Sequence, residues 1–186
     1  MTIFLIRHGK TIANEQHLYC GSTDLPLSEA GRNALQGKTV EVPENCRYFS
    51  SGMKRANETL ELLFGPVPYE ICRELREVDF GSFEMKSYEQ LKEDPAYIAW
   101  ITGDNMANTP PNGESGNAMT CRVVEAFRSL GETGRDAVVV THGGVIAAIM
   151  EHLFPEENKN RYQWQSANGG GYRLTGKPGQ WRYEII

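Results

Sequence analysis

Cysteine is scarce and scattered in this chain. Cys20, Cys46, Cys72 and Cys121 are the only four among 186 residues, and no two form a close-set metal-binding or redox pair. Reduced, mostly buried thiols in a cytoplasmic protein are expected. Long apolar runs are missing too. The longest, Val138 to Met150, is interrupted by Thr141-His142-Gly143-Gly144 and is too short to span a bilayer. Met1 leads directly into a predicted strand with no signal-peptide pattern before it, so a soluble protein without a membrane partner is expected. Positive charge is also in deficit: 19 Lys and Arg against 24 Asp and Glu leave a formal net charge of −5. That balance argues against a nucleic-acid partner, which usually requires a basic patch or stripe. An anionic ligand would have to find its positive charge locally. No low-complexity tract or long internal repeat is present.

What remains is an ordinary globular composition, 40% hydrophobic and 23% charged, in a length that suits one domain over 1–186. Thr2 to Ile6 is a short apolar, β-branched run of the kind buried in a parallel sheet, and it ends in Arg7-His8-Gly9. Ala137 to Val140 repeats the arrangement and ends in Thr141-His142-Gly143-Gly144. Between them, Arg47–Ser51 and Tyr69–Cys72 read as strands. Ser28 is a plausible N-cap for a helix over 29–38, and Met53–Phe64 reads as a helix stopped by Gly65-Pro66. Residues 87–91 and 95–101 suggest two short helices, and 114–130 and 144–154 two longer ones. Residues 10–24 and 103–113 have loop composition. Tyr172–Thr175 and Trp181–Ile186 flank turn residues and read as an edge hairpin. Strands alternating with helices predict an α/β fold: a three-layer α/β/α sandwich around a mostly parallel sheet with an antiparallel C-terminal edge. Residues 84–113 read as a lid-like insertion.

A single histidine at a strand end is unremarkable, but two, each followed by glycine, stand where α/β sheets bind ligands. Gly9 and Gly143 would let a ligand approach the backbone, and a helix starting after Gly143 would aim free N–H groups at an anion. Arg55 stands in the first turn of its helix, where the dipole disfavours a cation. Either it pairs with Glu58 on the surface, or it is a second guanidinium clamping phosphoryl oxygens. His17 and His152 read as surface residues, and Trp100, Trp164 and Trp181 as core or rim.

Arg7-His8-Gly9 with Lys10-Thr11 and Asn14, then Gly21-Ser22-Thr23-Asp24-Leu25-Pro26-Leu27-Ser28 and Gly31, resembles the opening of the histidine phosphatase (phosphoglycerate mutase-like) superfamily. Ser50-Ser51 with Arg55-Ala56 and Thr59 resembles its second signature. Leu75-Arg76-Glu77 with Phe80-Gly81 and Phe83-Glu84 resembles the third, and Val140-Thr141-His142-Gly143-Gly144 the last. Small size, and Glu114-Ser115 after Pro111-Asn112-Gly113, point to the short phosphatase branch that includes α-ribazole phosphatases and broad-specificity enzymes. Lys10, and Phe83-Glu84-Met85, depart from the usual pattern at the substrate side.

The resemblance implies a phosphomonoesterase that needs no metal and no cofactor and acts on a small phosphorylated substrate. It makes His8 the phosphoryl-accepting nucleophile, with Arg7, Arg55 and His142, the last as an imidazolium, neutralising the phosphoryl oxygens. Glu77 becomes the proton donor to the leaving oxygen, while Asp79 and Glu84 remain alternatives for that role. Asn14, Gly21 and Gly143 would line the substrate site. The chemistry is consistent: a neutral imidazole is nucleophilic if its other nitrogen is held by a fixed acceptor, and phosphoryl transfer asks mainly for positioning and charge stabilisation. A phosphoglycerate mutase and a non-catalytic phospholigand-binding module are the alternatives, and a homodimer is left open.

Overall fold

The computed structural model describes residues 1–104 and 106–186; Asn105, within the expected loop over 103–113, lies outside the described residues. The strands are β1 (Thr2–Arg7), β2 (Arg47–Ser50), β3 (Glu70–Ile71), β4 (Ala137–Thr141), β5 (Gly171–Lys177) and β6 (Gln180–Ile185). They form one sheet in the order β3-β2-β4-β1-β5-β6. β3, β2, β4 and β1 are parallel, and β5 and β6 are antiparallel additions at one side. The expected mostly parallel sheet with an antiparallel C-terminal edge is what forms.

The central strands carry apolar side chains on both faces because both faces are covered. Ile3, Leu5, Ala137 and Val139 point into a core shared with α6 (Gly116–Glu132) and α7 (Gly143–Leu153). Phe4, Ile6, Val138 and Val140 point the other way, against Ala56 and Leu60 of α3 (Lys54–Phe64). Strands buried this way cannot alternate polar and apolar residues, which is why their sequences read as continuous apolar runs. A third, smaller cluster joins Phe83 to Leu91 of α4 (Tyr88–Leu91) and Tyr97 of α5 (Pro95–Ile101), with Tyr19, Phe80 and Trp100 packed on it. It packs the segment 84–101 against the chain around Tyr19, to which it is also tied by a backbone bridge between Leu18 and Ser87.

Two expectations need correction. Residues 10–24 are not wholly loop: α1 (Ile12–Glu15) forms one helical turn, nucleated by a capping box between Thr11 and Asn14. A four-residue turn is too short to show a hydrophobic period. The thiols are free but not mostly buried: Cys20, Cys46 and Cys72 are half-buried and Cys121 is exposed. α2 (Glu29–Leu35) starts after Ser28 as its N-cap, and Ser115 caps α6. Among the described residues no helix is long and apolar enough to cross a membrane.

Candidate active site

Strand register builds the site. Arg7 pairs with Thr141 across β1 and β4, and Ser50 with Val140 across β2 and β4. His8, His142 and Ser51, the next residue along each strand, therefore emerge side by side at one edge. The two imidazole rings stand 5.1 Å apart, centre to centre. His142 is wholly buried and His8 is 6% exposed.

The hydrogen bonds fix what each ring can do. His8 Nδ1 lies 2.6 Å from the carbonyl oxygen of Gly9, an acceptor only, so Nδ1 carries the proton and donates. Nε2 has no protein partner among the described residues. Gly9 is itself held, its N–H donating to Thr59 Oγ1 at 2.9 Å while the Thr59 hydroxyl donates to the Arg55 carbonyl at 2.6 Å. His142 Nδ1 accepts from Arg55 Nε at 3.3 Å, which leaves its proton on Nε2, donating to Ser51 Oγ at 2.8 Å. Both histidines are held neutral. Burial, then the Arg55 guanidinium, push His8 down to about 3 and His142 well below its ordinary value. The expectation of an imidazolium at His142 is therefore corrected: the positive charge here belongs to the arginines.

Arg55 is 1% exposed and does not pair with Glu58, which is bonded to Arg32 at 2.8 Å and to the Leu27 N–H. Its remaining donors reach the carbonyls of Thr23 and Gly21, each at 2.8 Å. Arg7 donates through one terminal nitrogen to the Ser166 carbonyl at 2.7 Å, and its Nε is buried without a partner among the described residues. Burial lowers its pKa, and the nearby Glu77 opposes that shift. Neither arginine forms a salt bridge among the described residues. Arg55 is thus a buried guanidinium without a counter-ion, which is unfavourable by several kcal/mol, and with the half-buried Arg7 also facing His8 this is a site that an anion would stabilise.

Glu77 sits beside Arg7 at the start of α7. Its carboxylate accepts from the Gly144 N–H at 2.9 Å and the Val78 N–H at 3.0 Å. The N–H groups of α7 are thus not all free for an anion, as the sequence suggested, since Glu77 occupies one. Thr141 Oγ1 donates to the Leu75 carbonyl at 2.7 Å, tying the Glu77 segment to the end of β4. The alternative acids are otherwise engaged. Glu84 accepts from the N–H groups of Gly21, Ser22, Thr23 and Phe80 and from the Thr23 hydroxyl, and Asp79 accepts from Ser22 Oγ and the Gly81 N–H.

Asn14 is half-buried, with Oδ1 committed to Thr11 and no partner for Nδ2 among the described residues. Gly21 has both backbone groups committed, to Glu84 and Arg55, and a Cβ there would stand 1.7 Å from the Val78 carbonyl oxygen. It lets two loops touch. A Cβ on Gly143 would meet the Arg7 guanidinium at 3.0 Å, whereas one on Gly9 would meet Leu35 and Leu27, so Gly9 serves packing. Ser51, Thr59, Arg122 and the loop carrying Ser166 and Asn168 were not singled out for roles from sequence. Asn168 donates to the His8 carbonyl at 3.1 Å, and Gly169 N–H donates to the carbonyls of Arg7 and His8 at 3.0 and 3.2 Å. Only the Ser50-Ser51 and Thr59 positions in the second signature gave any signal for these. Exposed His17 and His152 lie outside this site.

A sequence model described as histidine phosphatase superfamily (branch 1) matches residues 3–186. The chain is 36% identical over 165 residues to an adenosylcobalamin/alpha-ribazole phosphatase of Salmonella typhimurium, covering 82% of this chain and 79% of that one. It is 30% identical over 158 residues to a metal-independent phosphoserine phosphatase of Arabidopsis thaliana, covering 79% and 66%. The crystal structure of the alpha-ribazole phosphatase from Shigella flexneri superposes with a TM-score of 0.86 at 28% identity, covering 100% of this chain and 96% of that one. The two histidines, the two arginines and the four ordered signatures are carried on a fold shared with these relatives, and the chain belongs to the histidine phosphatase superfamily, branch 1.

Proposed function

We propose that this protein is a metal-independent phosphomonoesterase that hydrolyses a small phosphorylated metabolite through a phosphohistidine on His8. The observation that carries this reading is a neutral His8, its Nδ1 proton held by Gly9, with Nε2 open beside the guanidinium groups of Arg7 and of Arg55, the latter buried without a salt bridge among the described residues. That is the state an imidazole nucleophile needs, and the charge a phosphoryl group would neutralise. The phosphatases among its relatives support the reaction class.

In this scheme Arg7, Arg55 and His142 hold the non-bridging oxygens, and Asn14 adds its free amide. Nε2 of His8 forms a bond to phosphorus while the bond to the leaving oxygen breaks. Glu77, in its acid form, gives that oxygen its proton. Water then attacks phosphohistidine, Glu77 takes a proton from it, and inorganic phosphate leaves with His8 restored. Lys10 is exposed two residues beyond His8, at the side where substrate specificity would be set.

His8→Ala is expected to abolish both turnover and acid-labile phosphoenzyme, measured with p-nitrophenyl phosphate and with a radiolabelled phosphoester. A phosphoenzyme retained in that variant, or trapped on His142, overturns the assignment. EDTA is expected to leave activity intact. Isomerisation of 3-phosphoglycerate faster than its hydrolysis would turn the reading to a mutase.

A further inference from the structure

Arg122 is on α6, outside the phosphate pocket, yet its bonds converge on one short segment beside it. One terminal nitrogen donates to the carbonyls of Glu74 and Arg76, and the other to the carbonyl of Glu77 at 3.2 Å. The remaining donors engage Glu114, Nε to Oε1 at 2.8 Å and the second terminal nitrogen to Oε2 at 2.7 Å. A guanidinium has five N–H groups, and here each has an acceptor. Glu114 precedes α6, so the pair spans the start of that helix and grips the chain that delivers Glu77.

Segment 74–77 needs such a grip. After one 3-10 turn at Arg73–Leu75 it has no ladder or helix of its own to fix it. The Glu77 carboxylate is aimed from one side by the Gly144 and Val78 N–H groups, while its main chain is held from the other by Arg122. We propose that Arg122, oriented by Glu114, is a positioning residue that sets where the Glu77 carboxyl meets the leaving oxygen. The inference rests on the reading of Glu77 as the general acid. Lysine cannot reproduce it, because a single ammonium cannot reach three carbonyls and chelate a carboxylate in one plane.

Leaving-group dependence separates positioning from plain structural support. An alkoxide must be protonated as it leaves, whereas p-nitrophenolate needs far less help from an acid. The test compares a simple alkyl phosphate with p-nitrophenyl phosphate in wild type, Glu77→Gln, Arg122→Lys and the double variant, with melting temperature followed throughout. If Arg122 positions the acid, Arg122→Lys loses kcat/KM, which reports formation of the phosphoenzyme and so departure of the leaving group, about tenfold more on the alkyl ester than on the nitrophenyl ester. Glu77→Gln shows the same discrimination, and the double variant is no worse than Glu77→Gln alone. Glu114→Gln, which keeps the side-chain length and removes the charge, carries the same comparison if Arg122→Lys folds poorly. Equal losses on both esters in a folded Arg122 or Glu114 variant, with discrimination retained in Glu77→Gln, overturn the positioning role and leave the acid in place. Equal losses in Glu77→Gln overturn the acid assignment, and the positioning role falls with it.

Discussion

Arg55 has its whole side chain inside the protein and donates to two carbonyls and one imidazole, none of which carries negative charge. Its effect on the neighbouring histidines has a definite sign. A fixed cation and burial both oppose protonation, so His8 stays neutral down to about 3, far below the usual imidazole range. The acid limb of kcat/KM is therefore expected not to report His8 at pH 6–7, and nitrogen NMR should show one Nδ1–H tautomer of His8 throughout that range. A His8 signal titrating near 6.5 sinks this account. Thr59 sits one bond further out, and Thr59→Val keeps the shape while leaving the Gly9 N–H buried without an acceptor. The expected loss is about 1–3 kcal/mol in a urea melt. Turnover should also fall, because the Gly9 carbonyl that holds Nδ1 belongs to the same short stretch of chain.

At the scale of elements, the loop over residues 20–24 is held by one carboxylate: Glu84 collects four backbone N–H groups and the Thr23 hydroxyl. That loop in turn offers Arg55 the carbonyls of Gly21 and Thr23. Gly21→Ala would drive a methyl group to 1.7 Å from the Val78 carbonyl oxygen, a rigid backbone atom, and so push the loop away from the Glu77 segment. Gly9→Ala meets the flexible end of Leu35 at 2.8 Å and should be milder. The expected order is a loss of activity of about a hundredfold for Gly21→Ala, with Gly9→Ala well above it in p-nitrophenyl phosphate turnover. The reverse order would show that loop contact does not govern the site. This is also where sequence reasoning runs out. β1 and β4 were legible because burial on both faces forces continuous apolar runs, and their His-Gly ends because sheets bind at that edge. The capping turn at Ile12–Glu15, the grip of Arg122 on three carbonyls and the closure of Ser166–Gly169 over β1 were not. Each depends on backbone groups, which every residue carries, meeting across 3 to 160 positions of chain.

Across the whole molecule, the site joins the first strand to a loop near residue 168, so proton binding at its centre bears on the stability of the entire fold. The unfolded chain protonates His8 near 6.5, whereas the folded chain resists until about 3. Between those values the unfolded state binds more protons, so stability falls as pH falls, and the contribution is fully lost only near the folded value. At about pH 4.5 the deficit from His8 alone is roughly 3 kcal/mol relative to neutral pH. His142 shifts the same way and adds to it. Carboxylates contribute their own acid sensitivity, so the informative quantity is a difference: urea melts of wild type and His8→Asn at neutral pH and at about pH 4.5. The variant should lose less stability on acidification than wild type, by an amount of that order. Inorganic phosphate should narrow the gap, because an anion between Arg7 and Arg55 offsets the charge that keeps the imidazoles neutral, and ligand binding to the folded state alone stabilises it. Parallel acid losses in the two proteins would mean that His8 protonates as readily folded as unfolded, and the electrostatic account of the nucleophile would be wrong.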